Sequence, residues 1–158
     1  MKKMNIGIMV LALLVPLIVG GISATLSAQG MLAYGDMNKP PLSPPPWVFS
    51  VAWTILYLMM GAASYFVLVS DGGGKHKIMA MVIYGLQLAM NFMWSILFFN
   101  YDMYLFAFIW LMVMWCMVII CAFRFFTISK LAAYMLIPYI LWLTFAAYLN
   151  LGTYLLNK

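Results

Sequence analysis

Long apolar runs alternate along this chain with short polar breaks, and the breaks set the architecture. The runs cover roughly residues 5–27, 47–69, 78–99, 103–126 and 132–155. Each reaches the ~20 apolar residues that one helix needs to cross a bilayer core. None alternates with the period of two expected of a membrane barrel strand. Three breaks are tight: Asp71-Gly-Gly-Gly-Lys-His-Lys77, Asn100-Tyr-Asp102 and Thr127-Ile-Ser-Lys130. Breaks this short join antiparallel neighbours. The pattern predicts an all-α integral membrane protein, one domain over residues 1–158, folded as a bundle of five transmembrane helices.

The connection over residues 28–46 is longer, and five of its residues between Pro40 and Pro46 are proline. Proline has little backbone freedom to lose, so such a loop can be held over a cavity at low entropic cost. Pro46, just before Trp47, suits the first turn of a helix. The reading is a stiff lid that includes Pro44, Pro45 and Trp47, with Trp53 a turn or two below it. A rigid linker with interfacial tryptophans is the alternative. The first span, with Lys2, Lys3 and Leu26-Ser27-Ala28 at its ends, has features of a secretory signal. Its apolar run is longer than such signals carry, and Gly20, Gly21, Ala24 and Ala28 allow close helix contact. It is expected to be a helix of the mature bundle.

Composition supports the membrane assignment. Hydrophobic residues make up 68% of the chain and charged residues 7%, against about 25% charged in soluble domains. The net charge of +5 lies near the ends of the apolar runs, which suits anionic headgroups rather than nucleic acid. Lys2, Lys3, Lys75, Lys77, Arg124 and Lys130 share one side; Lys39 and Lys158 share the other. The excess predicts a cytoplasmic N-terminus and an external lid, in a bacterial-type cell membrane. Cys116 and Cys121 point roughly 140° apart on a helix and read as apolar fillers.

Within the spans, certain faces stand out. Tyr84, Gln87, Asn91, Trp94 and Phe98 follow one another at intervals of 3, 4, 3 and 4, which keeps them on one face of the third span. Amides at membrane depth need partners, so this face looks inward, either as an interhelical clamp or as a ligand wall. Trp142, Phe145, Ala146 and Leu149 share a face of the fifth span, with Asn150 at its margin and a notch at the alanine. Pro138 interrupts this helix a turn earlier. Trp53, Tyr57, Met60 and Ser64 form a stripe on the second span; Trp110, Met114, Met117 and Cys121 form a less polar one on the fourth, read as core or lipid contact.

The usual acid–base equipment is missing from the spans. Asp36, Asp71 and Asp102 all fall in predicted loops, and His76 sits between lysines in a turn. No metal site is predicted. The C-terminal Leu151-Gly-Thr-Tyr154-Leu-Leu-Asn-Lys158 fits the loose pattern proposed for cholesterol contact.

Three segments carry a resemblance. "KPPLSPPPWVFSVAWTILYLMMGAASY", "QLAMNFMWSILFF" and "PYILWLTFAAYLN" resemble the second, third and fifth helices of the tryptophan-rich sensory protein (TspO) family, also called translocator protein or peripheral benzodiazepine receptor. The likeness extends over nearly the whole chain. It implies a five-helix bundle, commonly a homodimer, whose cavity is closed by the loop between helices one and two. It also implies binding of porphyrins such as protoporphyrin IX and of isoquinoline-carboxamide or benzodiazepine-type molecules. Family pocket positions fall on Tyr34, Trp53, Asn91, Trp94, Trp142, Phe145 and Ala146. Some bacterial members degrade porphyrin in light, which makes Trp53 and Trp142 the photochemical candidates. The chain departs from animal members at Ala33, at Ser95-Ile96 and at Lys158, where they have tryptophan, two prolines and arginine.

Together these readings give a candidate ligand set of Tyr34, Trp53, Tyr57, Gln87, Asn91, Trp94, Trp142, Phe145, Ala146 and Leu149, for a porphyrin or other hydrophobic small molecule surrounded by membrane lipid. A receptor needing no cofactor is the first expectation, with light-dependent oxidative breakdown of the porphyrin as a possible added activity. A transporter or carrier of porphyrin or sterol-like molecules is the alternative, although no internal repeat of the kind common in such carriers is visible.

Overall fold

The structure is a computed structural model that describes residues 5–71 and 74–158; Lys2, Lys3, Gly72 and Gly73 lie outside the described residues. Among the described residues, five helical segments are long and apolar enough to cross a membrane. α1 spans Ile6–Leu26 and begins at Asn5, whose side chain accepts from the Ile8 amide at 3.2 Å. This is a side-chain N-cap, which satisfies one amide that has no partner within the helix. α3 spans Pro46–Val69 and starts on proline, with Pro45 extended at φ −63° and ψ 154°. The missing proline N–H costs nothing at a first turn, so the run of prolines ends where a helix can begin.

α4 covers Gly74–Ser95 and continues as a wider π-helical turn over Ile96–Asn100. α5 covers Tyr104–Phe126. The fifth span is two helices, α6 (Lys130–Met135) and α7 (Ile137–Leu156), with Pro138 in the first turn of α7. This is the break expected where proline cannot donate to the preceding turn. The long connection after α1 also holds regular structure: α2 spans Ala28–Tyr34, and the lid proper follows it.

The helices close into a ring. α1 packs on α3 and α4, α4 on α5, α5 on α6 and α7, and α6 back on α3. Small residues permit the tightest crossings, since close backbone approach is what holds helices together where lipid competes for apolar contact. A Cβ at Gly61 would lie 2.7 Å from the Ala12 carbonyl oxygen, so α1 and α3 touch backbone to backbone there. Gly20, further along α1, lies flat against the Tyr57 ring. Ala63, Ala80, Ala107 and Ala132 are fully buried at other contacts. The outward faces carry Leu11, Ile18, Val51, Ile109 and Leu141, all exposed, as a lipid-solvated bundle requires.

Candidate functional site

The deepest layer is a polar cluster at the bundle axis. Tyr139 on α7 is completely buried. Its hydroxyl accepts from Asn91 Nδ2 at 3.0 Å and donates to Gln87 Oε1 at 3.1 Å. Asn91 Oδ1 accepts from the Tyr57 hydroxyl at 2.7 Å, and Gln87 Nε2 faces the Met60 sulfur at 3.8 Å. The amides of the third span therefore act as a clamp joining α3, α4 and α7. A buried network of this kind rigidifies a core because each member satisfies another.

A chamber of about 310 Å³ lies directly above this layer. Its floor and walls include Tyr57, Trp53 and Phe49 from α3, Trp94 from α4, Phe98 and Phe99 from the π-turn. Trp53 stacks on Tyr57 at 5.5 Å between centroids, and Trp94 stacks on Phe98 at 5.3 Å. Trp94 is held by Nε1 donating to Asn150 Oδ1 at 3.1 Å, and Asn150 Nδ2 donates to the Tyr104 carbonyl at 2.7 Å. The indole is thus held in orientation by α7 and α5. Ala146 and Leu149 complete the α7 side.

The lid crosses the top. Pro44 and Lys39 line the chamber, and Tyr34 stands beneath Lys39, whose Nζ lies 5.4 Å from the ring centroid. Lys39 Nζ also donates to the Gly35 carbonyl at 2.7 Å. The lid is tied to α7 and its C-cap by three hydrogen bonds and one packing contact. Asn157 donates to the Asn38 carbonyl at 2.8 Å and accepts from the Asn38 amide at 3.2 Å. The Tyr148 hydroxyl donates to the Pro41 carbonyl at 2.6 Å. Pro40 rests on Gly152, where a Cβ would come within 2.6 Å.

Of the residues singled out from sequence, Tyr34, Trp53, Tyr57, Trp94, Ala146, Leu149 and Pro44 line the chamber. Gln87 and Asn91 lie in the layer below and reach it only through Tyr57. Trp142 and Phe145 line a separate shallow groove between α3 and α7, beside Ala52 and Leu141. Trp142 stands edge-on behind Trp53, 6.4 Å away at 84°, and its Nε1 is buried without a hydrogen-bond partner. Pro45 is exposed just before α3, and Trp47 projects outward, 67% exposed.

The structure also adds wall residues that periodicity did not mark. Leu17, Gly20, Gly21, Ser23 and Ala24 of α1 line the chamber, with Ser27 at its C-cap. Their small size was legible, but as a helix contact; Gly20 makes that contact while Gly21 leaves open space. Phe99 joins Phe98 because the π-turn widens the helix at that point, which strict 3.6-residue spacing does not anticipate. Gly30 lets α2 sit directly on this turn, since a Cβ there would overlap the Phe99 carbonyl oxygen. Gly30→Ala is expected to push α2 off the π-turn and cost about 1–3 kcal/mol, the usual penalty of overpacking, measurable as a lower unfolding temperature in detergent.

Among the described residues, no three His, Cys, Asp or Glu side chains come together to hold a metal ion. Fold and site together define an integral membrane protein of five helical spans that encloses an aromatic-walled chamber beneath a proline-rich loop. The sequence profile of the TspO/MBR family matches residues 12–155. The chain is 35% identical over 125 residues to the tryptophan-rich protein TspO of Chlorobaculum tepidum, covering 78% of each. It is 34% identical over 155 residues to the tryptophan-rich protein TspO of Archaeoglobus fulgidus, covering 98% of this chain and 99% of the relative. It is 33% identical over 129 residues to the translocator protein of Homo sapiens, covering 81% and 76% respectively. The chain belongs to the TspO/MBR family.

Proposed function

We propose that this chain is a membrane receptor for flat, largely apolar aromatic molecules: porphyrins of the protoporphyrin type first, and isoquinoline-carboxamide or benzodiazepine-type compounds by the same contacts. The observation that carries this reading is the arrangement of Trp53, Tyr57, Trp94 and Phe98 around one space from two different helical segments. Stacked and edge-on rings suit a planar macrocycle, and a mostly apolar wall with few polar groups suits a small-molecule site. The chamber volume of about 310 Å³ falls at the lower end of the range for such sites, roughly 300–1,000 Å³.

Protoporphyrin also carries two propionates, and these need a polar exit. Lys39 is the cation at the chamber mouth. It is partly solvated, so a carboxylate there gains about 1 kcal/mol at most. Lys39→Ala is therefore expected to weaken protoporphyrin IX about fivefold at low salt and to leave its dimethyl ester unchanged. Titration of tryptophan fluorescence with the two compounds in nanodiscs checks this. Equal losses for acid and ester would remove Lys39 from propionate recognition. The proposed orientation, with the N-terminus cytoplasmic and the lid outside, follows the grouping of Lys75, Lys77, Arg124 and Lys130 at the end away from the lid.

A second reading is light-driven oxidative breakdown of the bound porphyrin, favoured by one observation: an oxidisable indole, Trp53, forms the wall itself, with Trp142 in edge contact behind it. Product formation under light should then fall in Trp53→Phe. Equal rates in the variant and in free tryptophan would leave only unspecific photochemistry.

A further inference from the structure

The chamber has a side opening as well as a lid. Its exposed lining residues fall into two groups. Met31, Gly35 and Pro46 lie at the rim, while Gly21, Ala24, Ser50 and Thr54 lie down the line between α1 and α3. These two helices are in backbone contact at Gly61 and Ala12, and again where Gly20 meets the Tyr57 ring. Beyond that second contact, Gly21 and Ala24 of α1 and Ser50 and Thr54 of α3 are exposed while they border the chamber. A Cβ at Gly21 would meet nothing within 4 Å. Gly21 lies about 8 Å along the axis from the end of α1 at Leu26, and Thr54 about 12 Å from the start of α3 at Pro46. The gap is therefore at the depth of acyl chains rather than of headgroups.

Its edges suit passage of an apolar molecule. One edge is glycine and alanine; the other is a pair of hydroxyl residues one turn apart. Thr54 donates its hydroxyl to the Ser50 carbonyl at 2.8 Å, so its polar hydrogen is satisfied within the helix and exposing it to hydrocarbon costs little. The lid, by contrast, is fastened to α7 through Asn157, Tyr148 and the Pro40–Gly152 contact.

We infer that the split between α1 and α3 is a membrane-side portal through which ligands dissolved in the outer part of the bilayer reach the chamber while the lid stays fastened. This rests on the chamber being a ligand site. Gly21 and Ser50 sit at the outer edge of the chamber, so a ring at either narrows the path and slows arrival and departure together. Gly21→Phe adds a ring at a position whose Cβ would meet nothing within 4 Å, and Ser50→Phe narrows the same gap from the opposite edge.

The test is stopped-flow quenching of tryptophan fluorescence in nanodiscs, with protoporphyrin IX dimethyl ester pre-dissolved in lipid. Either variant should lower kon and koff together by about tenfold or more, each rate falling by more than Kd changes. Tyr148→Phe/Asn157→Ala, which unfastens the lid, should leave both rates unchanged. Unaltered rates in both portal variants, with faster rates in the lid variant, would overturn the portal and make the lid the route. Absence of any saturable quenching in the wild type would instead sink the chamber reading, and the portal with it.

Discussion

Trp53→Ala should weaken protoporphyrin IX binding about 50-fold, whereas Trp142→Ala should weaken it less than about fivefold. The indole of Trp53 faces the chamber and stacks on Tyr57, so its removal takes away one wall and opens the space toward the groove between α3 and α7. A large aromatic wall contributes about 2–3 kcal/mol to a flat ligand, and each 1.4 kcal/mol is about tenfold in Kd. Trp142 touches Trp53 only by its edge and lies outside the lining, so its loss acts through the position of its neighbour. Equilibrium quenching in nanodiscs gives both constants. Equal losses in the two variants would mean that the ligand reaches Trp142 directly.

Asn91→Leu should lower stability by about 2 kcal/mol and the unfolding temperature by roughly 4–8 °C. The side chains share heavy-atom number and branching, so the loss comes from stranded polar groups and not from a void. Asn91 accepts from Tyr57 and donates to Tyr139; leucine strands the Tyr57 hydroxyl and removes one of the two amide partners of Tyr139, which keeps Gln87. Tyr57 is also chamber floor, so ligand affinity should fall as well, by about tenfold. A double-mutant cycle with Tyr57→Phe should show a coupling near 1 kcal/mol, since the two share one hydrogen bond. Strict additivity would mean that the bond contributes nothing.

The helices and the proline-marked start of the second span were legible in the sequence because their signals are local. A span needs only a sustained apolar run, and Pro138 and Pro46 mark breaks through the missing N–H alone. The site was legible only in part. Trp53, Tyr57 and Trp94 were marked by aromatic residues at helical spacing, and they do line the chamber. The face shared by Trp94, Asn91 and Gln87 was correctly inward, but spacing cannot say how deep each residue lies. The ring of neighbours, with α1 between α3 and α4, places the two amides under the floor. Likewise, Trp142 and Ala146 are one turn apart on α7, yet only Ala146 meets the chamber. The break at Leu136 and the turn of α7 relative to α3 decide this, and neither is written in the spacing of residues 142–149. The α1 wall escaped notice because glycine and alanine look alike whether they touch a helix or border a cavity. The α2 helix was hidden in a segment with no buried face of its own.

Structure determination of the protein in nanodiscs with free-base protoporphyrin IX would test the central claim most directly. The macrocycle should lie beneath Pro44, between the rings of Trp53 and Trp94 and above the Tyr57–Asn91 bond, with its propionates turned toward Lys39. A macrocycle found instead in the outer groove against Leu141 and Phe145, with the space between Trp53 and Trp94 filled by side chains, would contradict the account.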